Sequence, residues 1–514
     1  MKPIRLIRGF LTVGAWTMAS RLAGFIRDMM IAAFLGAGPI AEAYLVAFTL
    51  PNMFRRFFAE GAFNTAFVPM FSKKLEANDN PRQFAETAFS GLATVVLMVT
   101  LLASLAMPWL VLAMAAGFAE DERFPLAVLY GRICFPYIFF ISLTALLSGL
   151  LNAGGRFIAA AAAPVLMNFV LIGAMLLAYH FGWDMGLAMA WSTPIAGIAQ
   201  LATVWWAAKR MGFPLRLVRP RLNPDMRRLL AIAAPAVLAG GVVQVNLLVG
   251  RQVGSFFDGA IAWLTYADRL YQLPLGVVGI AIGIVLLPDI SRRLEADDHA
   301  GGRHAYNRAA EFAMLLTLPC AVALVVIAQP LVSVLFGRGA FSQADIGPTA
   351  LALIIYGVGL PAFVMQKVQQ PLFFAREDTR SPFRYALWAM AVNAVVAICL
   401  APLIGFAAAA LGTTVAGWTM FWQLWRGARS LGEAAAPDAR LRARLPRIVA
   451  ASAVMGVVLW LTARAAAPML EVPGQRVLAL ALLVVTGMVS YAVAALGLGA
   501  VSPGDLRRSL RRQR

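Results

Sequence analysis

Apolar residues gather along this chain into fourteen stretches long enough to cross a bilayer. They lie at about 10–34, 40–71, 84–115, 125–151, 158–181, 184–208, 227–256, 259–290, 308–335, 346–374, 383–402, 404–426, 445–467 and 476–499. A hydrocarbon core about 30 Å thick needs about 20 apolar helical residues to span it. Lipid offers backbone N–H and C=O groups no partners, so runs of this length predict helices that satisfy their own hydrogen bonds. The expected fold class is an all-α polytopic membrane protein with fourteen transmembrane helices.

The polar positions between these runs alternate in charge. Basic residues collect at the N-terminus (Lys2, Arg5, Arg8) and after span two (Lys73, Lys74, Arg82), span six (Lys209, Arg210, Arg216, Arg219, Arg221) and span eight (Arg292, Arg293, Arg303). They recur after span twelve (Arg426, Arg429, Arg440, Arg442, Arg444) and at the C-terminus (Arg507 to Arg514). The opposite loops are short and poor in positive charge, with Arg123, Arg338, Arg464 and Arg476 as the main exceptions. The positive-inside rule then puts both termini in the cytoplasm, and an even number of spans agrees.

An internal echo divides the chain. Val68-Pro69-Met70-Phe71-Ser72-Lys73-Lys74-Leu75-Glu76-Ala77 resembles Leu287-Pro288-Asp289-Ile290-Ser291-Arg292-Arg293-Leu294-Glu295-Ala296, and Leu50-Pro51 recurs as Leu273-Pro274. Asn168 and Asn393 fall at a similar offset. Two six-helix lobes in the same orientation account for this, and parallel repeats of that kind are a transporter architecture. The expected domains are a first lobe over 1–222, a second over 223–432, and a final helix pair with a basic tail over 433–514.

Composition narrows the class. The chain is 61% hydrophobic and 13% charged over 514 residues. Its formal net charge of +19 would suggest nucleic acid in a soluble domain; here the basic residues sit in loops, where anionic lipid headgroups are the expected partner and nucleic acid is not. Cys134, Cys320 and Cys399 lie in apolar runs without paired spacing, and His299 and His304 share a loop with Asp297 and Asp298. Neither set reads as a disulfide framework or a metal site, so no cofactor is expected. The first apolar run is interrupted by charge and continues too far for a signal peptide, so it reads as a retained span.

The chemistry is expected where charge enters the apolar runs. Arg21, Arg27 and Asp28 lie in the first span, and Arg55, Arg56 and Glu60 in the second. An ionisable side chain facing mid-bilayer costs on the order of 3 kcal/mol, so these groups should face water, one another or an anionic ligand. Thr17, Ser20, Arg21, Gly24, Arg27 and Asp28 fall within an arc of roughly 120° on a helix, giving one polar face. Pro51 beside Asn52 removes a backbone donor and predicts a bend or break. In the eighth span, Asp268 and Arg269 precede Leu273-Pro274. Plainer roles stay open: Arg27 as a boundary anchor, and Arg56 paired with Glu60 one turn on. Arginine's planar fork suits a diphosphate because it donates two parallel hydrogen bonds and stays charged. No nucleophile motif or phosphate-cradling glycine loop is present, and the acidic turn Glu120-Asp121-Glu122 reads as solvated rather than catalytic. No enzyme is expected.

At Ser20-Arg21-Leu22-Ala23-Gly24-Phe25-Ile26-Arg27-Asp28, Leu50-Pro51-Asn52 through Phe63, Phe67-Val68-Pro69 and Tyr266-Ala267-Asp268-Arg269-Leu270 the chain resembles the MurJ (MviN) family of lipid II flippases, in the MOP exporter superfamily. The resemblance implies a V-shaped pair of lobes around a central cationic cavity, with the last two helices forming a groove for a polyprenyl tail. It implies substrate binding by Arg21, Arg27, Arg55 and Arg269, supported by Asp28, Glu42, Asn52, Arg56, Glu60 and Asp268. Glu42 stands where Asp is common, and Ala262 where some members have Ser. Some relatives bind sodium through an Asn and an acid one turn later; Asn393 is followed by Ala397, so that site is incomplete. The implied function moves lipid II across the bacterial inner membrane by alternating access. Lipid II, membrane lipids and other cell-wall synthesis proteins are the implied partners, and a monomer the expected state. The alternatives are another MOP transporter, for polysaccharide units or drugs, and a membrane enzyme that polymerises lipid II.

Overall fold

In the computed structural model, residues 3–55, 62–296, 298–429, 432, 435–472 and 474–502 are described, and they form helices with no strand among them. Ten helices come first: α1 (Pro3–Leu35), α2 (Pro39–Arg55), α3 (Ala62–Glu76), α4 (Pro81–Leu105), α5 (Met107–Met114), α6 (Arg123–Cys134), α7 (Tyr137–Ala153), α8 (Ile158–Phe181), α9 (Met185–Arg210) and α10 (Pro224–Gly254). Nine follow: α11 (Ala260–Glu295), α12 (His299–Val326), α13 (Ala328–Phe336), α14 (Gln343–Phe374), α15 (Arg380–Ile404), α16 (Ala407–Arg429), α17 (Ala439–Ala465), α18 (Ala467–Glu471) and α19 (Arg476–Gly497).

Nine helical segments among the described residues are long and apolar enough to cross a membrane. They match nine of the fourteen apolar runs in the sequence. The other five runs, at 10–34, 40–71, 227–256, 259–290 and 404–426, are not among those nine segments. The chain is a multi-pass membrane protein.

Several sequence runs resolve into two helices. The run at 84–115 divides at Ala106 into α4 and α5, with Pro108 in the first turn of α5. The run at 308–335 divides at Ile327 into α12 and α13, and α17 gives way to α18 at Ala466. Each second helix starts within three residues of a proline (Pro108, Pro330, Pro468). Proline is tolerated in a first turn because that N–H has no helical acceptor. The sequence expectation of a bend or break at Pro51 is not met by a helix end: α2 continues through it to Arg55.

The chain groups into two units, Met1–Ala262 with Gly339–Phe341, and Trp263–Arg338 with Ser342–Arg514. In the first, α1 packs on α8, α2 on α6, and α9 on both α7 and α8. Close approach is bought with small residues, as is usual between membrane helices: a Cβ on Gly197 of α9 would stand 2.9 Å from atoms of Tyr137 and Phe140.

In the second unit, α14, α15 and α16 pack together, α12 lies against α14 and α17, and α17 against α19. A core of Ile327, Met455, Leu459 and Leu483 joins α17 to α19. A polar clasp closes one end of the α12–α17 contact. Glu311 of α12 accepts from Arg308, Arg440 and Arg444, and Arg308 also reaches Asp438. Asp438 caps α17 by accepting from Leu441 N (2.7 Å), while its own N–H donates to Asn307 Oδ1 (2.9 Å).

Candidate functional site

Two arginine–carboxylate assemblies lie in the first unit. In the first, Arg27 and Asp28 of α1 are both buried, Arg27 being 9% exposed. Arg27 Nε and Nη2 donate to Asp28 Oδ1 (3.0 and 2.6 Å), and Nη1 donates to Asn168 Oδ1 of α8 (2.8 Å). Asn168 Nδ2 donates in turn to the carbonyl of Ser20 (3.0 Å). The Phe48 ring lies 5.8 Å from the guanidinium. Adjacent residues on a helix diverge by about 100°, so the pairing depends on the long Arg27 side chain curling back. Asn168 orients the fork from the neighbouring helix, and its burial leaves it few other partners.

In the second assembly, Glu42 in the first turn of α2 is 1% exposed. It accepts from Arg123 Nη1 of α6 (2.8 Å) and from the Ile261 N–H (2.9 Å). Arg123 also donates to Asp121 and lies 3.0 Å from Asp258 Oδ1. Its guanidinium sits 4.4 Å from the Phe118 ring centroid. The acidic turn is therefore only partly the solvated turn its sequence suggests. Glu120 and Glu122 are exposed, but Asp121 is half-buried and Arg123 buried, because the arginine has a partner 81 residues away. Burial would push the Asp121 carboxyl up, but the side-chain and backbone N–H donors of Arg123 more than offset it and hold it below its ordinary value.

The other expected site residues are placed as follows. Arg21 is exposed on α1, and Arg55 is half-buried in the last turn of α2. Asn52 donates to the Phe48 carbonyl (2.8 Å), a contact along its own helix. Asp268 and Arg269 are half-buried in α11, where Asp268 accepts from Gln272. Arg56 and Glu60 lie outside the described residues. Ala262, which brings no hydroxyl to its position, is fully buried. Among the described residues no group of three or more His, Cys, Asp or Glu is placed to hold a metal ion. What the first unit offers is a fixed arginine fork, held by one carboxylate and one amide and able to exchange those acceptors for an anion's oxygens.

Residues 31–473 match the profile of the family described as "Lipid II flippase MurJ". The chain belongs to the MurJ family. A "Probable lipid II flippase MurJ" of Rhizobium tropici is 43% identical over 99% of this chain and 97% of its own. A "Lipid II flippase MurJ" of Burkholderia cenocepacia is 34% identical over 89% of this chain and 90% of its own. Among solved structures, a lipid II flippase MurJ in an inward closed conformation superposes with a TM-score of 0.78 at 23% identity, covering 94% of this chain and 98% of that one. An inward-facing multidrug resistance MATE family transporter of the MOP superfamily gives 0.67 at 16% identity, covering 80% and 94%. Those two likenesses show the shared fold. The MurJ relatives are flippases, and membership sets this chain among transporters rather than enzymes. Asn168 and Arg123 were missed as site residues in the sequence: one read only as part of the repeat, the other as a loop charge.

Proposed function

We propose that this chain moves lipid II, the diphosphate-linked peptidoglycan precursor, from the cytoplasmic to the periplasmic leaflet of the bacterial inner membrane. The observation that carries the reading is Arg27, buried in α1 with its fork aimed by Asp28 and Asn168, in a chain of the MurJ family. Arg21, Arg27, Arg55 and Arg269 bind the diphosphate and head group. Asp28, Glu42, Asn52, Arg56, Glu60 and Asp268 support them.

The arrangement in this reading is fourteen transmembrane helices, with lobes at 1–222 and 223–432 and the tail groove and basic tail in 433–514. Both termini are cytoplasmic. The head group enters a hydrated cationic cavity while the polyprenyl tail stays in lipid. The diphosphate oxygens take over the hydrogen bonds that Arg27 otherwise gives Asp28, so loading the cavity loosens one polar lock. Reorientation follows binding, and no bond is made or broken.

The direct test is exposure of lipid II on the outer face of cells depleted of this protein. Accumulated lipid II that stays inaccessible from outside supports the reading; full accessibility with no second flippase present overturns it.

A further inference from the structure

We infer that residues 205–228 form a docking site for acidic bilayer phospholipid, with Trp206, Arg210, Arg216, Arg219 and Arg221 as its contact residues. The proposal rests on the membrane reading but not on the transported substrate. Between Lys209 and Arg228 the chain has seven basic residues and one acid, Asp225. That acid is already bound by Lys74 (3.0 Å). Lys209, Arg210, Arg216, Arg219, Arg221, Arg227 and Arg228 are all exposed, and none forms an ion pair among the described residues. Unmatched charge of one sign on a surface raises the local concentration of anions there.

The segment that carries this charge is held, not loose. Gly212, at φ +93°, turns the chain at the end of α9. The Phe213 ring packs edge-on to Phe71 (5.6 Å), and Leu215 is buried. Trp205 Nε1 donates to the Leu215 carbonyl (3.5 Å), and the Val218 N–H donates to Ser90 Oγ of α4 (2.8 Å). Asn223 then caps α10 by accepting from Met226 N (2.8 Å). Ser90 is the tenth residue of α4, a helix of spanning length, so the segment after α9 lies along the first turns of that helix rather than out in water.

Its side chains alternate in kind. Arg216, Arg219 and Arg221 are interleaved with Leu217 and Leu222, which are 71% and 65% exposed. Arg210 stacks on Trp206 with its guanidinium carbon 3.5 Å from the ring centroid, and that ring is 52% exposed. Indoles at the end of a spanning helix mark the headgroup level, and an arginine there can keep its charge in the headgroups while its stem lies on the ring. Exposed leucines beside unmatched arginines call for a partner with an anion and a hydrocarbon part in one molecule. Free phosphate lacks the second, and an acidic polymer lacks the chain ends. The same pairing of tryptophan with a cation four residues on closes α16, where Arg426 faces Trp422 (5.4 Å) and Arg429 faces Trp425 (3.6 Å).

The test uses the full chain in nanodiscs of phosphatidylcholine with a minor share of phosphatidylglycerol, one or the other lipid brominated to quench indoles. The fluorescence lost between the wild type and Trp206→Phe isolates Trp206. The expected result is quenching by brominated phosphatidylglycerol beyond its share of the bilayer. Each arginine contributes about fivefold at low salt, so Arg216→Gln/Arg219→Gln/Arg221→Gln should lose most of the quenching in excess of the bilayer share, with thermal stability unchanged because these side chains are exposed. Raising the salt should weaken it too. Quenching in proportion to bulk composition, or enrichment that survives the triple change, would overturn the site. Both readouts are independent of lipid II, so failure of the flippase reading leaves them interpretable.

Discussion

Single side chains decide how charge survives inside this protein. Arg27 is matched by Asp28 and oriented by Asn168, so Asn168→Leu leaves one guanidinium N–H without its acceptor. A buried donor stranded in this way costs about 1–3 kcal/mol. The expected outcome is a lower melting temperature with partial loss of lipid II export, whereas Arg27→Ala abolishes export while the protein still inserts. Growth on Arg27→Ala as the sole copy would remove Arg27 from the site. Arg123→Ala strips Glu42 of its cation and costs about 3–5 kcal/mol, the usual result of orphaning one member of a buried pair. Replacing both members, as Glu42→Gln with Arg123→Met, should recover much of that loss in a thermal melt; no recovery would mean the two act separately. These cases also mark how far the sequence can be read. Arg27 and Asp28 stand out because charge in an apolar run is costly wherever it occurs. Asn168 and Arg123 do not, since their roles depend on partners 141 and 81 residues away. A bond across two helices leaves no local periodicity.

At the scale of elements, the apolar runs foretell helices well because a membrane leaves few other ways to satisfy the backbone. Interruptions are less legible. Pro108 and Pro330 coincide with new helices, whereas Pro51 is carried inside α2; one residue type thus gives two outcomes, set by whether neighbours tolerate the lost hydrogen bond. The clasp between α12 and α17 is not legible in the sequence: Arg440 and Arg444 read as ordinary loop charges, and nothing local marks Arg308, Glu311 or Asp438 as their partners. It has a clear dependence on pH. Burial would push the Asp438 carboxyl up, but the Leu441 N–H and the Arg308 guanidinium more than offset it and hold it below its ordinary value. A carboxylate whose pKa is lower folded than unfolded stabilises the fold above the unfolded value of about 4 and loses that contribution as pH falls through the folded one. Asp438→Asn keeps a capping oxygen but removes the charge. It should melt earlier than wild type at neutral pH, by about 1 kcal/mol in stability, and the gap should close in acid. A gap that is the same at both pH values would show that Arg308 contributes nothing through Asp438.

Across the whole molecule, the distribution of charge is the feature that orients everything else. Basic residues crowd alternate loops, and moving such a loop across the bilayer is what the positive-inside rule penalises. The loop holding Lys73 and Lys74 should therefore be cytoplasmic, and the turn holding Glu120 and Glu122 periplasmic. In the proposed function this topology sets the direction of transport: with it, the proposed docking segment at 205–228 faces the leaflet where lipid II is made, and without it the segment faces the other side. A cysteine at Asp79 and one at Glu120, both exposed turn positions, separate the two orders. The native thiols interfere little, since Cys134 is buried and Cys320 and Cys399 lie within spanning helices. An impermeant maleimide given to spheroplasts should label Glu120→Cys at once and Asp79→Cys only after the membrane is opened. The reverse pattern would invert the protein, and both the cytoplasmic termini and the direction of transport would have to be given up. The arginine chemistry inside the first unit would survive that result, because it depends on burial and geometry rather than on which compartment lies at either end.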